Sequence, residues 1–227
     1  MPVKSKVELL PFNEITKADF FLERRELGII NVGGKGIVEV DGTRHELGKK
    51  DALYIGRGKQ HIVFSSENEA DPAMFYLNSV LAHAVYQDVF IPIKEVVPAE
   101  MGEFETANRR NIYKIIVKER LQTCQLVMGL TDLLSPSIWN TFPPHTHLRR
   151  NEVYFYFDIP KDQILIHLMG EPDHTRHLIC HNHEAVISPE WSIHSGVGTA
   201  AYSFIWGMGG ENLEYGDMDK VNPMDLK

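Results

Sequence analysis

Residues 145–157, HTHLRRNEVYFYF, decide how the rest of the chain is read. Two histidines stand one residue apart, a short charged turn follows, and Glu152 then opens an aromatic run. Alternate side chains of a β-strand share a face, so His145 and His147 point to one side. After the turn, Glu152, Tyr154 and Tyr156 share a side of the next strand. A fourth donor comes later, His194 in the stretch 187–198, ISPEWSIHSGVG.

A His-x-His pair alone is weak, because a chain with 11 histidines produces such pairs by chance. The spacing to Glu152, the Pro189-x-x-x-x-His194 element and the strand-rich surroundings turn the pair into a predicted metal site. Three imidazoles and one carboxylate suit Zn, Fe, Mn, Ni or Co, with positions left open for water or substrate. This arrangement resembles the two cupin motifs.

Outward from this stretch, short runs rich in β-branched and aromatic residues recur between turn signals. Examples are LGIINVGG (27–34), GIVEVDG (36–42), DALYIG (51–56), QILIHLMG (163–170) and YSFIWGM (202–208). Many short strands with Gly and Asp-Gly turns predict an all-β sandwich or barrel. Helix candidates are few: residues 6–20, KVELLPFNEITKADF, and the segment near 96–110.

The two halves carry a faint internal repeat. An offset of 126 (148 − 22) pairs Leu22 with Leu148, Arg24 with Arg150 and Glu26 with Glu152. An offset of 133 (185 − 52) pairs Ala52 with Ala185 and His61 with His194. The expectation is two double-stranded β-helix barrels in tandem: 1–95 without a metal site, a linker at 96–110, and 111–227 with the site. In the first half Asp19 and Phe21 replace the two histidines, so Glu26 and His61 read as structural.

Composition narrows the function. Twenty-three Lys and Arg against 31 Asp and Glu give a net charge of −8, which disfavours nucleic acid and anionic membrane. Cys124 and Cys180 are too few for a disulfide framework and point to a reducing cytoplasm. No apolar run reaches the roughly 18 residues of a membrane span. The start of the sequence lacks the apolar core of a signal peptide.

The blocks FFLERRELGIINVGG (20–34), TCQLVMGLTDL (123–133), HTHLRRNEVYFYF (145–157), AVISPEWSIHSGVGT (185–199) and YSFIWGMGGEN (202–212) resemble the 4-deoxy-L-threo-5-hexosulose-uronate ketol-isomerases, also called 5-keto-4-deoxyuronate isomerases. The resemblance implies a bicupin isomerase of pectin and uronate breakdown, assembled as a homohexamer. It implies one Zn2+ per chain on His145, His147, Glu152 and His194, and a small anionic sugar acid as substrate. Two departures stand out: family members carry an additional N-terminal stretch, and Pro143-Pro144 directly precede His145 here.

For the chemistry, Glu152 and His194 are candidate catalytic residues as ligands, and His167 and Tyr154 for proton transfer. Gln163 and Met169 are expected on the inward face shared with His167. For each tyrosine a buried ring with a satisfied hydroxyl is the commoner role. Arg149, Arg150 and Arg176 are the nearest guanidiniums to pair with a substrate carboxylate, although surface ion pairs are the usual fate of such residues. Trp191 reads as packing. The same ligands would serve an iron-dependent dioxygenase or another metal-dependent oxidoreductase, and the fold alone would serve a non-catalytic sugar-binding protein.

Overall fold

A computed structural model describes all residues, 1–227. The chain forms two compact units, Met1–Val96 with Ile115–Leu126, and Val97–Lys114 with Val127–Lys227. The first carries β1 (Val7–Glu8), β2 (Arg25–Asn31), β3 (Gly36–Val40), β4 (Thr43–Leu47), β5 (Ala52–Ile55), β6 (Ile62–Ser66), β7 (Phe75–Leu81) and β8 (Val89–Ile91). Its two sheets run β1-β6-β3-β4 and β7-β2-β5-β8. The only α-helix is a single turn, Asn13–Thr16.

Period-two burial explains why these segments are strands. In β3 the pattern alternates between buried and half-buried, with Val38 and Val40 inward. They meet Leu27 and Ile29 of β2, Leu53 and Ile55 of β5, and Ile62 and Phe64 of β6 in one apolar core. Each such side chain stabilises the fold by roughly 1.5–3 kcal/mol. Asp41 and Gly42, both at positive φ (45° and 84°), make the two-residue turn from β3 to β4; that geometry matches the right-handed twist of the strands.

The second unit carries β9 (Ala99–Met101), β10 (Arg110–Ile116), β11 (Leu126–Leu133), β12 (Trp139–Thr146), β13 (Arg150–Phe157), β14 (Leu165–Glu171), β15 (His174–Cys180), β16 (Ala185–Ser188), β17 (Ile193–Gly198), β18 (Ser203–Gly210) and β19 (Asp219–Lys220). Its sheets run β16-β13-β18-β11-β10-β9 and β15-β14-β17-β12-β19. The repeat is visible in this connectivity. β2 lies between β5 and β7 as β13 lies between β16 and β18, and β3 lies between β4 and β6 as β14 lies between β15 and β17.

Two expectations need correction. Segment 96–110 is not a free linker or a helix: Ala99–Met101 pairs antiparallel with Arg110–Ile112 at the end of the six-stranded sheet. The chain instead passes back, with Ile115–Leu126 belonging to the first unit. The pairing of Glu26 with Glu152 is also shifted by one residue. Leu27 lies opposite Ile55 as Glu152 lies opposite Ser188, and Ile55 and Ser188 are related by the 133 offset. A one-residue slip reverses every face of a strand, so Leu27 takes the inward place and Glu26 turns outward.

Turned outward, Glu26 is nevertheless fully buried. Its carboxylate accepts from the backbone N–H groups of Cys124 (2.8 Å), Gln125 (2.7 Å) and Leu126 (2.9 Å), and from the Tyr54 hydroxyl (2.7 Å). It fastens the returning segment Ile115–Leu126. His61 precedes β6, with a side chain 71% exposed and 3.3 Å from Glu8, while Ile62 points into the core.

Candidate metal centre

β12 and β17 pair with His145 directly opposite His194. The register of β12 breaks between Asn140 and His145. Pro143 and Pro144 sit in that bulge, having no N–H to offer a ladder. The bulge turns Thr141, Phe142 and Pro143 toward a cavity of about 580 Å3. His147 follows two residues after His145 and points the same way, and Glu152 enters from β13. All four side chains are buried.

Their donor atoms converge. His145 Nε2 lies 3.2 Å from His147 Nε2 and 3.0 Å from His194 Nε2. Glu152 Oε2 lies 3.2 Å from His147 Nε2 and 3.0 Å from His194 Nε2. The ligand atoms all fall within 4.8 Å of one another. Donors about 2.0–2.1 Å from one cation stand about 2.9–3.4 Å apart, between right-angle and tetrahedral arrangements, so this set fits a single transition metal ion. One shared proton can satisfy only one nitrogen–nitrogen pair, whereas a cation satisfies all four donors.

The electrostatics agree with that fit. Burial, followed by the neighbouring His194, lowers the His145 pKa to about 3 and keeps its lone pair free at neutral pH. Burial pushes the Glu152 carboxyl up, but the neighbouring His194 and the hydrogen bonds of His147 and His194 outweigh it and hold the group below its ordinary range. The site therefore offers a carboxylate and an unprotonated imidazole, the forms that bind metal. Ser188 Oγ lies 3.3 Å from His194 Nδ1 and steadies that ring from β16, the kind of outer support that orients a ligating imidazole.

The remaining sequence candidates fare differently. Tyr154 lines the cavity, its hydroxyl 2.9 Å from Thr141 Oγ1 and its ring stacked on Phe204 at 4.8 Å. His167 is fully buried beside it, with Nδ1 2.6 Å from the Tyr156 hydroxyl and Nε2 unpartnered, but it is not part of the cavity wall. Tyr156 is thus a core ring with a satisfied hydroxyl. Gln163 precedes β14; on that strand Leu165 and His167 are buried, and the half-buried Met169 shares their face, directly opposite His194. Trp191 is 49% exposed and is not a packed residue.

None of the three predicted guanidiniums lines the cavity. Arg150 is buried and donates to the carbonyls of Asn212 (3.4 Å), Glu214 (2.6 Å), Tyr215 (3.1 Å) and Asp217 (3.2 Å). It clamps the segment that brings Tyr215 to the cavity. Arg149 is exposed and pairs with Glu211 and Asp217, and Arg176 is exposed on β15 with a hydrogen bond to Thr175 O.

The cations that do line the cavity are Arg110, Lys114 and Lys220. A signal for the first two was present in RNIYKII: Arg110, Ile112 and Lys114 alternate along β10 and all face the cavity. Phe204, Trp206 and Met208 do the same along β18. The Trp206 ring passes over Gly129, where an added Cβ would come within 2.3 Å of it, and Trp206 Nε1 donates to Thr131 Oγ1 at 3.2 Å.

Comparison with known proteins sets this geometry in context. The model of the KduI/IolB family matches residues 4–223. A 4-deoxy-L-threo-5-hexosulose-uronate ketol-isomerase of Paraburkholderia phytofirmans is 54% identical across all of this chain and 82% of its own. Among solved structures, an IolB-like protein from Salmonella typhimurium superposes with a TM-score of 0.79 at 13% identity, over 97% of this chain and 84% of that one. The oxalate decarboxylase of Bacillus subtilis, a protein with Mn(II) centres, follows at 0.59 and 11%, over 87% and 66%. These two share the cupin fold with this chain.

Proposed function

The chain belongs to the KduI/IolB family, and on that premise we propose that it is a metal-dependent ketol-isomerase. The reading is that it converts 5-dehydro-4-deoxy-D-glucuronate (4-deoxy-L-threo-5-hexosulose uronate) to 3-deoxy-D-glycero-2,5-hexodiulosonate in the breakdown of pectin and other uronates. The observation that carries it is the convergence of His145, His147, Glu152 and His194 at a cavity wall, with donor atoms 3.0–3.2 Å apart. The relatives' named activity supports the choice of substrate.

Those four side chains would hold the ion. Held there, a divalent cation would supply Lewis acidity toward a bound sugar. Because an aldose–ketose conversion changes no overall oxidation state, a redox-inert ion suffices, which supports zinc over iron or manganese on the same donors. The chain's own groups do the rest. Phe142, Phe204, Trp206 and Met208 form an apolar wall that holds the carbon skeleton and keeps bulk water from the two carbons exchanging hydrogen. Tyr154, kept protonated by burial, offers its hydroxyl to a substrate oxygen as a hydrogen-bond donor. His167 acts on the site only through the packed Tyr154 and Tyr156 rings.

No helix is long and apolar enough to cross a membrane, and both cysteines are free and buried. A cytoplasmic homo-oligomer, a hexamer by resemblance, completes the proposal. The test is incubation of the purified protein with the hexosulose uronate, followed by NMR. Loss of the aldehyde with appearance of the 2-ketose is expected. Consumption of oxygen by an iron-bound protein, or binding without turnover, would overturn the reading in favour of an oxidoreductase or a sugar-binding protein.

A further inference from the structure

We infer that Arg110 is the anchor for the substrate carboxylate, a positioning residue that sets the specificity of the cavity for acids over neutral sugars. The inference rests on the ketol-isomerase reading only for the identity of the acid; the anion site itself stands on the cavity.

Its guanidinium is half-buried on β10 and makes one hydrogen bond, Nη1 to Asn108 O at 2.8 Å. No carboxylate of the chain pairs with it. Burial works against its charge, so an anionic partner would be favoured there. A charged fork with free donors in a partly desolvated wall is what a carboxylate needs for paired, charge-assisted hydrogen bonds. The other two cations of the cavity are less suited. Lys114 is exposed and rests its ammonium 4.2 Å from the Tyr215 ring centre, and Lys220 is exposed on β19 opposite His145.

Placement in the sheet supplies the scale. Glu152 is on β13 and Arg110 on β10, three strand steps apart in the order β13-β18-β11-β10. At about 4.8 Å per step the strand axes stand about 14 Å apart. With an imidazole cluster projecting from one side and a long guanidinium from the other, the remaining gap suits a six-carbon chain. Its carbonyl end would lie at the donor cluster and its carboxylate at Arg110, with Trp206 and Met208 of β18 beneath its middle. The chain as a whole carries −8, so this local positive wall is the feature that admits an anion.

The test compares wild type, Arg110→Gln and Arg110→Lys on the hexosulose uronate and its methyl ester. It adds calorimetric binding of the reduced acid, which keeps the carboxylate but has no carbonyl to isomerise, and of the reduced ester. Loss of a charge-assisted pair corresponds to a roughly 10- to 100-fold change in affinity. R110Q should raise KM for the acid by that factor, leave the ester within about 3-fold, and abolish the wild type's preference for the reduced acid, while R110K recovers part of it. An equal loss on acid and ester would overturn the proposal, as would an unchanged preference. Should wild type prefer the reduced acid through Arg110 yet turn nothing over, the anchor stands and the isomerase reading falls; turnover that is indifferent to Arg110 gives the reverse.

Discussion

Glu26 and Glu152 are paired by the 126-residue offset in the sequence, yet they face opposite sides of corresponding strands. Glu152 points inward to two imidazole nitrogens at 3.0 and 3.2 Å. Glu26 points outward and binds three backbone amides and a tyrosine hydroxyl. Removing the Glu26 carboxylate strands several buried donors, so Glu26→Ala should destabilise the protein by about 2–5 kcal/mol. Glu26→Gln should cost less. Chemical denaturation of both variants, alongside Glu152→Ala, checks this: the account expects the large stability loss at Glu26 and the loss of metal at Glu152.

His147→Ala removes one of four donors from a barrel that is already packed. Turnover should fall by more than about 100-fold and metal affinity should drop with it, while the circular dichroism spectrum of a β protein is retained. Full activity in a metal-free H147A preparation would contradict the ligand assignment.

Arg150→Ala addresses one of the three guanidiniums, with Arg149 and Arg176, that were expected to bind substrate. Its loss removes a donor from the carbonyls of Asn212, Glu214, Tyr215 and Asp217, of which Glu214 O keeps the Asp217 N–H, and a drop of about 2–4 kcal/mol in stability follows. Because Arg150 does not touch the cavity, the variant's residual activity should discriminate acid from methyl ester as wild type does. A selective loss on the acid would restore Arg150 as a substrate ligand.

Acid should weaken the second unit through His167. Burial, with His194 nearby, lowers its folded pKa to about 3, against about 6.5 in the unfolded chain. Between those values the unfolded state binds the extra proton, so stability is intact above about pH 6.5 and is lost progressively as pH falls toward 3. His167→Phe should flatten that slope in metal-free protein, as measured by denaturation midpoints from pH 7 to 4. An unchanged slope would show that the buried imidazole is not responsible.

Gly129→Ala tests how tightly the cavity wall is packed. The new methyl would meet the Trp206 ring at 2.3 Å and Tyr113 O at 2.2 Å, and overpacking of this kind costs about 1–3 kcal/mol. A lower melting temperature and a shifted tryptophan emission are the expected signs; an unperturbed protein would mean the wall yields freely.

Much of this was legible in the sequence because strand periodicity and metal chemistry are local. His145, His147 and Glu152 lie within eight positions, and the rhythm of short apolar runs gave the all-β class. The tandem repeat was legible too, but not its register: an offset drawn from identities placed Glu26 where the structure has Leu27, since identity does not report which face a side chain takes. The cations that line the cavity went unseen for a related reason. Arg149 and Arg150 adjoin the ligands along the chain, whereas Arg110 reaches the cavity through a sheet order, β13-β18-β11-β10, that no local pattern contains. The linker reading failed because its Pro and Gly residues flank β9 rather than separate domains.

The central claim is that one cation, held by His145, His147, Glu152 and His194, is required for isomerisation. The most direct measurement is elemental analysis together with NMR-monitored turnover of the hexosulose uronate, on the protein as purified, after chelation and after zinc is restored. The account predicts about one ion per chain, chelator-sensitive conversion of aldehyde to 2-ketose, and recovery with zinc. Undiminished turnover by protein shown to contain no metal would contradict it.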